Sequence, residues 1–103
     1  MSREEEMDRL TLINQNLEKI ITTPSGSSNP YDYVKANQKE FDYIVEQEDL
    51  ALNHFLNIFR KSDSDGLKEF IMALACVEIL GKNNPVGKWQ SGRDWYKQYV
   101  KLR

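Results

Sequence analysis

Residues 66–81 read GLKEFIMALACVEILG, a nearly continuous apolar segment with a glycine at each end. Only Lys68, Glu69 and Glu78 are charged between Gly66 and Gly81. A helix here is apolar nearly all round, so it has to be covered on several sides. The apolar stretch Ile71 to Val77, even with Phe70 before it, is far below the ~18 residues needed to cross a membrane. The segment therefore predicts the buried centre of an all-α domain.

Working outward, residues 49–61 carry Leu50, Leu52, Phe55, Leu56 and Phe59 at helical spacing and close on basic Arg60 and Lys61. The short loop SDSDG joins this helix to the central one, which predicts an antiparallel hairpin of 49–61 with 67–80. One partner cannot cover an all-round apolar helix, so the hairpin needs further helices around it. Asn29-Pro30 starts a short helix with Asn as N-cap and Pro at the first turn. Asn37 with Glu40 reads as a capping box for a helix over 38–47, bearing Phe41, Ile44 and Val45. Glu48-Asp49 reads as the cap of the next helix, and Gly81 as the left-handed residue ending the central one. Asn84-Pro85 carries turn chemistry. Ser91, with Asp94 three residues on, caps a last helix containing Trp95, Tyr96, Tyr99, Val100 and Leu102. No stretch alternates apolar and polar residues for long enough to make a strand. The expected fold is a single-domain bundle of five to six helices around the central helix.

At the N-terminus, Ser2 and Glu5 form a capping box, and Met7, Leu10, Ile13, Leu17, Ile20 and Ile21 recur at helical steps over 2–21. Two readings follow. The helix lies across the domain's own core, or Met7, Leu10, Asn14, Leu17 and Ile21 form a heptad seam for a homodimer through residues 2–21. Thr22 to Asn29, TTPSGSSN, is linker-like in composition. The chain thus divides into an amphipathic helix at 1–21, a linker at 22–29 and a helical domain at 30–103.

The chain has 103 residues and one cysteine, which fits one modest core and excludes an intrachain disulfide or a Cys-only zinc site. Cys76 sits inside the apolar run and reads as a core residue. The N-terminus MSREEEMDRL lacks the features of a secretory signal. His54 is the sole histidine and falls on the polar side of its helix, beside Asn53; no nucleophile motif accompanies it. Aligning Gly66 with the glycine of a calcium loop would put Lys61 at ligand position 1 and Met72 at position 12, which excludes the match. Glu46, Glu48 and Asp49 read as solvated surface. The sequence therefore predicts no catalytic residues, no metal and no cofactor.

Charge is distributed unevenly. Residues 1–81 hold 8 Lys/Arg and 15 Asp/Glu, a balance of −7, whereas residues 82–103 hold 6 Lys/Arg and only Asp94, a balance of +5. Arg93, Lys97 and Lys101 share one helical face, interleaved with Trp89, Trp95, Tyr96 and Tyr99. An internal reading has this helix packing by its Trp/Tyr face near the acidic residues Glu40, Asp42, Glu46, Glu48 and Asp49. A functional reading makes Trp89, Arg93, Trp95, Tyr96 and Lys97 a binding surface, since aromatics and Arg are common anchors. The overall pI of about 5.4 argues against nucleic acid.

The run from Asn29 to Tyr99, with NPYDYV, FDYIV, LALNHFLNIF, GLKEFIMALACVEILG and W-x-S-G-R-D-W-Y, resembles a small helical module with HEAT-like helix pairing. Such modules are found in exported or membrane-anchored proteins of Gram-positive bacteria, some beside sensor-type metallopeptidases. The resemblance implies an accessory or interaction domain and transfers no catalytic residue. Residues 1–28 lie outside it and fit a tether. The expectation is a non-enzymatic protein-interaction or regulatory module whose partner is another protein or the rest of a longer chain. The alternatives are an acidic inhibitor or immunity-type protein masking a basic partner through Glu40–Asp49, and binding of an anionic surface through the last helix. Two locations stay open, the cytoplasm and the soluble outer part of an anchored protein.

Overall fold

The computed structural model describes residues 3–24, 26 and 28–103. Six α-helices are present and no strand occurs among the described residues. They are α1 Arg3–Thr22, α2 Pro30–Ala36, α3 Gln38–Glu46, α4 Asp49–Lys61, α5 Leu67–Leu80 and α6 Gly92–Leu102, with a 3-10 turn at Gly81–Asn83. The Ser2 half of the first capping box lies outside the described residues.

α5 is the centre of the bundle. Ile71, Met72, Ala73, Ala75 and Cys76 are fully buried, and α1, α2, α3, α4 and α6 all pack on it. α4 contributes Ala51, Leu52, Phe55 and Phe59 to the same core; α3 adds Phe41 and Ile44, and α6 adds Trp95. Removing each large side chain of this set from water stabilises the fold by about 1.5–3 kcal/mol before entropy is subtracted.

α1 belongs to that core. Ile13, Leu17 and Ile20 are buried, Leu10 and Ile21 pack against them, and the helix lies on α3, α5 and α4. Leu10, Leu17 and Ile21 of the heptad seam are therefore occupied within one molecule, while Met7 is left exposed. Asn14, at the polar position of that seam, lies 2.8 Å from His54 of α4 through Oδ1 and Nε2. A Cα radius of gyration of 13.2 Å matches the roughly 13 Å of a compact domain this size, with no helix standing off as a stalk.

Local signals account for some helix ends and fail at others. Asn29 Oδ1 accepts from the Tyr31 N–H at 3.0 Å, and Ser91 Oγ from the Asp94 N–H at 3.1 Å, as expected for N-caps. At Gly66 the Glu69 carboxylate accepts the backbone N–H at 2.8 Å. Asn37 does not cap α3 with its side chain. Its Nδ2 donates instead to Thr23 Oγ1 at 2.8 Å and to the Tyr33 carbonyl at 3.0 Å, so the buried amide ties the α2–α3 junction to the end of α1. Glu48 does not cap α4 with its side chain either.

Instead Glu48 turns the chain at φ 50, ψ −124, almost the backbone of Gly81 at φ 55, ψ −127. Only glycine adopts that region freely, so Glu48 carries local strain on the order of 1–3 kcal/mol. Gly81 has the positive φ expected after a helix but not the left-handed helical ψ, and the chain continues into the 3-10 turn.

Candidate binding site

Two regions compete for the role of binding surface: the α6 seam, and a groove between α2, α3 and α5. α6 is amphipathic, and its apolar side meets α5 and α4. Gly92 makes that approach possible. A Cβ there would stand 2.1 Å from the Glu69 carbonyl oxygen, so α6 lies directly on the backbone of α5's first turn.

Trp95 then inserts completely, with no exposed surface. Its indole Nε1 donates to Asn84 Oδ1 at 3.2 Å, and its ring stacks on Tyr99 at 5.0 Å. Asn84 also donates through Nδ2 to the Val86 carbonyl at 3.1 Å, so the turn expected at Asn84-Pro85 holds the indole's partner in place. Tyr96 stacks on Phe59 at 5.0 Å with the rings 10° apart.

Arg93 passes inward, to the end of α4. Its Nη1 donates to the Phe59 carbonyl at 2.5 Å, and Nη2 to the carbonyls of Ser62 and, at 3.0 Å, Ser64. The guanidinium lies 5.2 Å from the Phe59 ring centroid and 5.7 Å from that of Tyr96. The last carbonyls of a helix lack intrahelical partners and carry the negative end of its dipole. One planar cation with several donors satisfies both needs. The Arg93 backbone N–H is in turn held by Asp65 Oδ1 at 3.1 Å, which gives the aspartate loop a structural task.

This corrects the surface expected from the sequence. Trp95 is core and Arg93 is a cap for α4, so neither is presented to a partner. Tyr96 is half-buried against Phe59; Lys97 is exposed and Trp89 is partly exposed. The five residues do not form one patch. The internal charge reading is corrected too: α6 packs chiefly on α5 and α4, not on acidic α3. An ion pair joins Lys19 of α1 to Glu40 of α3 at 2.5 Å. The Lys19 hydrogen bond, with help from the backbone and the charge of Lys39, holds the Glu40 carboxyl below its ordinary value of 4.5.

The second region opens on the other exposed flank of α5. Tyr31 and Val34 of α2, Gln38 and Phe41 of α3, and Leu74, Val77 and Glu78 of α5 line a groove of about 260 Å³. Spacings of three and four residues put each set on one helical face. Tyr31 is 51% exposed, and its ring meets Phe70 edge-on at 6.0 Å. Phe70 in turn packs on Trp89 at 4.8 Å. Trp89 thus connects to the groove residue Tyr31 through Phe70, although neither Trp89 nor Phe70 lines the groove. Glu78 is the charged residue of the lining and is exposed, and Gln38 donates to Asp42 at 2.8 Å. The signal that marks this groove in the sequence is weak: Leu74, Val77 and Glu78 read as ordinary members of a buried helix.

The reactive side chains are engaged elsewhere. Burial pushes the Cys76 thiol well above its ordinary range, away from the reactive thiolate. Burial, and secondarily the charge of Lys68, lowers the pKa of His54, which keeps its ring neutral beside Asn14. Among the described residues no group of three or more His, Cys, Asp or Glu side chains is gathered to hold a metal. No helix among them is long and apolar enough to cross a membrane.

The fold and groove define an all-α bundle with an open, mainly apolar cleft. Compared with known proteins, the chain matches no family model, no curated protein and no solved structure.

Proposed function

We propose that the chain is a non-enzymatic protein-interaction module that receives an amphipathic segment of a partner in the groove between α2, α3 and α5. The observation that carries this reading is the groove itself: a concave, mainly apolar lining that includes one exposed carboxylate, Glu78. Such clefts bind by filling apolar pockets, with a few polar groups setting orientation. An amphipathic helix meets that need with a ridge of side chains three and four residues apart. Glu78, and the balance of −7 over residues 1–81, favour a segment that also carries a basic residue. The accessory-domain role implied by the sequence resemblance is compatible with this reading and is carried forward as part of it.

The reading that a basic partner is masked through Glu40–Asp49 draws less support, because Glu40 is already paired with Lys19. Binding of an anionic surface loses Arg93, which is turned toward α4.

A photo-crosslinking side chain placed at Val77, and a control placed at exposed Gln15 of α1, test the proposal in the native host. The expected result is a discrete adduct from position 77 alone, mapping to a segment with an apolar ridge and a basic residue, and lost with Glu78→Arg. Identical adducts from both positions, or none from position 77, overturn it.

A further inference from the structure

Among the described residues, the large hydrophobic side chains left exposed outside the groove lie on two helices. Met7 is 62% and Leu12 43% exposed on α1; Val100 is 44% and Leu102 55% exposed on α6. On α1 these side chains sit among acids. Glu4, Asp8 and Leu12 follow each other at four-residue steps on the face opposite Ile13 and Leu17, with Met7 beside them. On α6, Lys97, Val100 and Lys101 share one outer face, whereas Leu102 lies on another face and Arg103 stacks over Tyr99. Lys97 and Lys101 make no ion pair among the described residues. The α1 face is acidic and partly apolar; the α6 face is basic and partly apolar. Each has the chemistry to cover the other, yet within one molecule both remain open.

From this we infer that the chain associates head to tail with a second copy of itself, the outer face of α1 in one copy lying against the outer face of α6 in the next. Charge is divided along the chain, with a balance of −7 over residues 1–81 and +5 over residues 82–103. A nucleic acid or an anionic membrane would meet the basic pole but be repelled by the acidic remainder. A second copy offers both signs at once. The inner face of α1 is consumed by its own core, so the contact is not a coiled coil of two α1 helices. A contact between unlike faces leaves one free pole on each copy, so association continues past the dimer unless a ring closes. The inference is independent of the groove, whose lining contains none of these residues.

Sedimentation velocity on the purified chain tests this. The mean mass should grow with protein concentration, and association should weaken at least about tenfold between ~0.01 M and ~0.15 M salt, as the screening length shrinks from about 30 Å to about 8 Å. Two double variants at exposed positions separate the poles: Glu4→Lys with Asp8→Lys, and Lys97→Glu with Lys101→Glu. Each alone should be monomeric, because its two poles then repel, while an equimolar mixture should associate again. A monomeric wild-type chain at low salt overturns the inference, as does association unchanged in either variant or a mixture that stays monomeric. Wild type that remains monomeric but co-sediments with phosphatidylserine vesicles would give the α6 face to an anionic surface instead.

Discussion

The two flanks of α5 make opposite use of similar residues. On one, α6 brings tryptophan, tyrosine and arginine down onto α4 and α5: Trp95 is sealed in, Tyr96 lies flat on Phe59, and Arg93 is spent on three carbonyls. On the other, α2 covers α5 with a helix of seven residues, none of them buried, and leaves Tyr31, Val34, Leu74 and Val77 around an open groove. Aromatic content alone therefore does not identify a binding surface. What separates the flanks is how many of the available contacts are made inside the molecule.

Substitutions on the sealed flank should damage stability, and those on the open flank should damage binding alone. The largest effect is expected at Trp95. Trp95→Ala removes a wholly buried ring and leaves Asn84 Oδ1 without its indole donor, and should lower unfolding free energy by about 3–5 kcal/mol in urea titrations. A loss near zero would mean that α6 is not docked as described.

Gly92→Ala comes next. Its methyl group would overlap the Glu69 carbonyl, so α6 must shift away from α5, at an expected loss of about 1–3 kcal/mol by the same titration.

Arg93→Ala should cost about 1.5–3 kcal/mol, the range for hydrogen bonds made by a charged group. Arg93→Lys tests the geometry: a lysine keeps the charge but lacks the planar fork, so it should recover less than half of that loss. Full rescue by lysine would reduce Arg93 to a point charge.

Tyr31→Ala inverts the pattern. With half its surface exposed, its loss should change stability by no more than about 1 kcal/mol, while crosslinking from position 77 disappears.

The smallest effect concerns the ion pair on a third face. Because Glu40 titrates below its ordinary value in the folded chain, its pairing stabilises at neutral pH and is lost as pH falls through the folded value. Lys19→Met should flatten that acid limb, below about pH 4.5, and leave stability at pH 7 nearly unchanged, because an exposed pair is screened by water and salt. An unchanged acid limb would detach the pair from folding.

How much of this was legible beforehand depends on the range of the interaction. The Ser91 and Asn29 caps were readable because donor and acceptor are two or three residues apart. The Asn37–Glu40 box read equally well and was wrong, because Thr23, fourteen residues away, claims the Asn37 amide. The basic stripe of Arg93, Lys97 and Lys101 is real as a periodicity. Its first member turns inward because the end of α4, about thirty residues earlier, needs a cation. Gly92 carried no sequence signal, since its necessity comes from the backbone of another helix.

By itself, then, the sequence determined that this chain is helical, that residues 66–81 lie at its centre, and that its charge is divided between a long acidic part and a short basic one. Those properties depend on composition and on neighbours within a turn or two. Only the tertiary structure decided which aromatics are core and which line a groove, that α1 joins the core, and that α6 rests on α4 and α5 rather than on acidic α3. Burial is a property of facing surfaces, and which surfaces face each other is decided when the five other helices compete to cover one apolar α5.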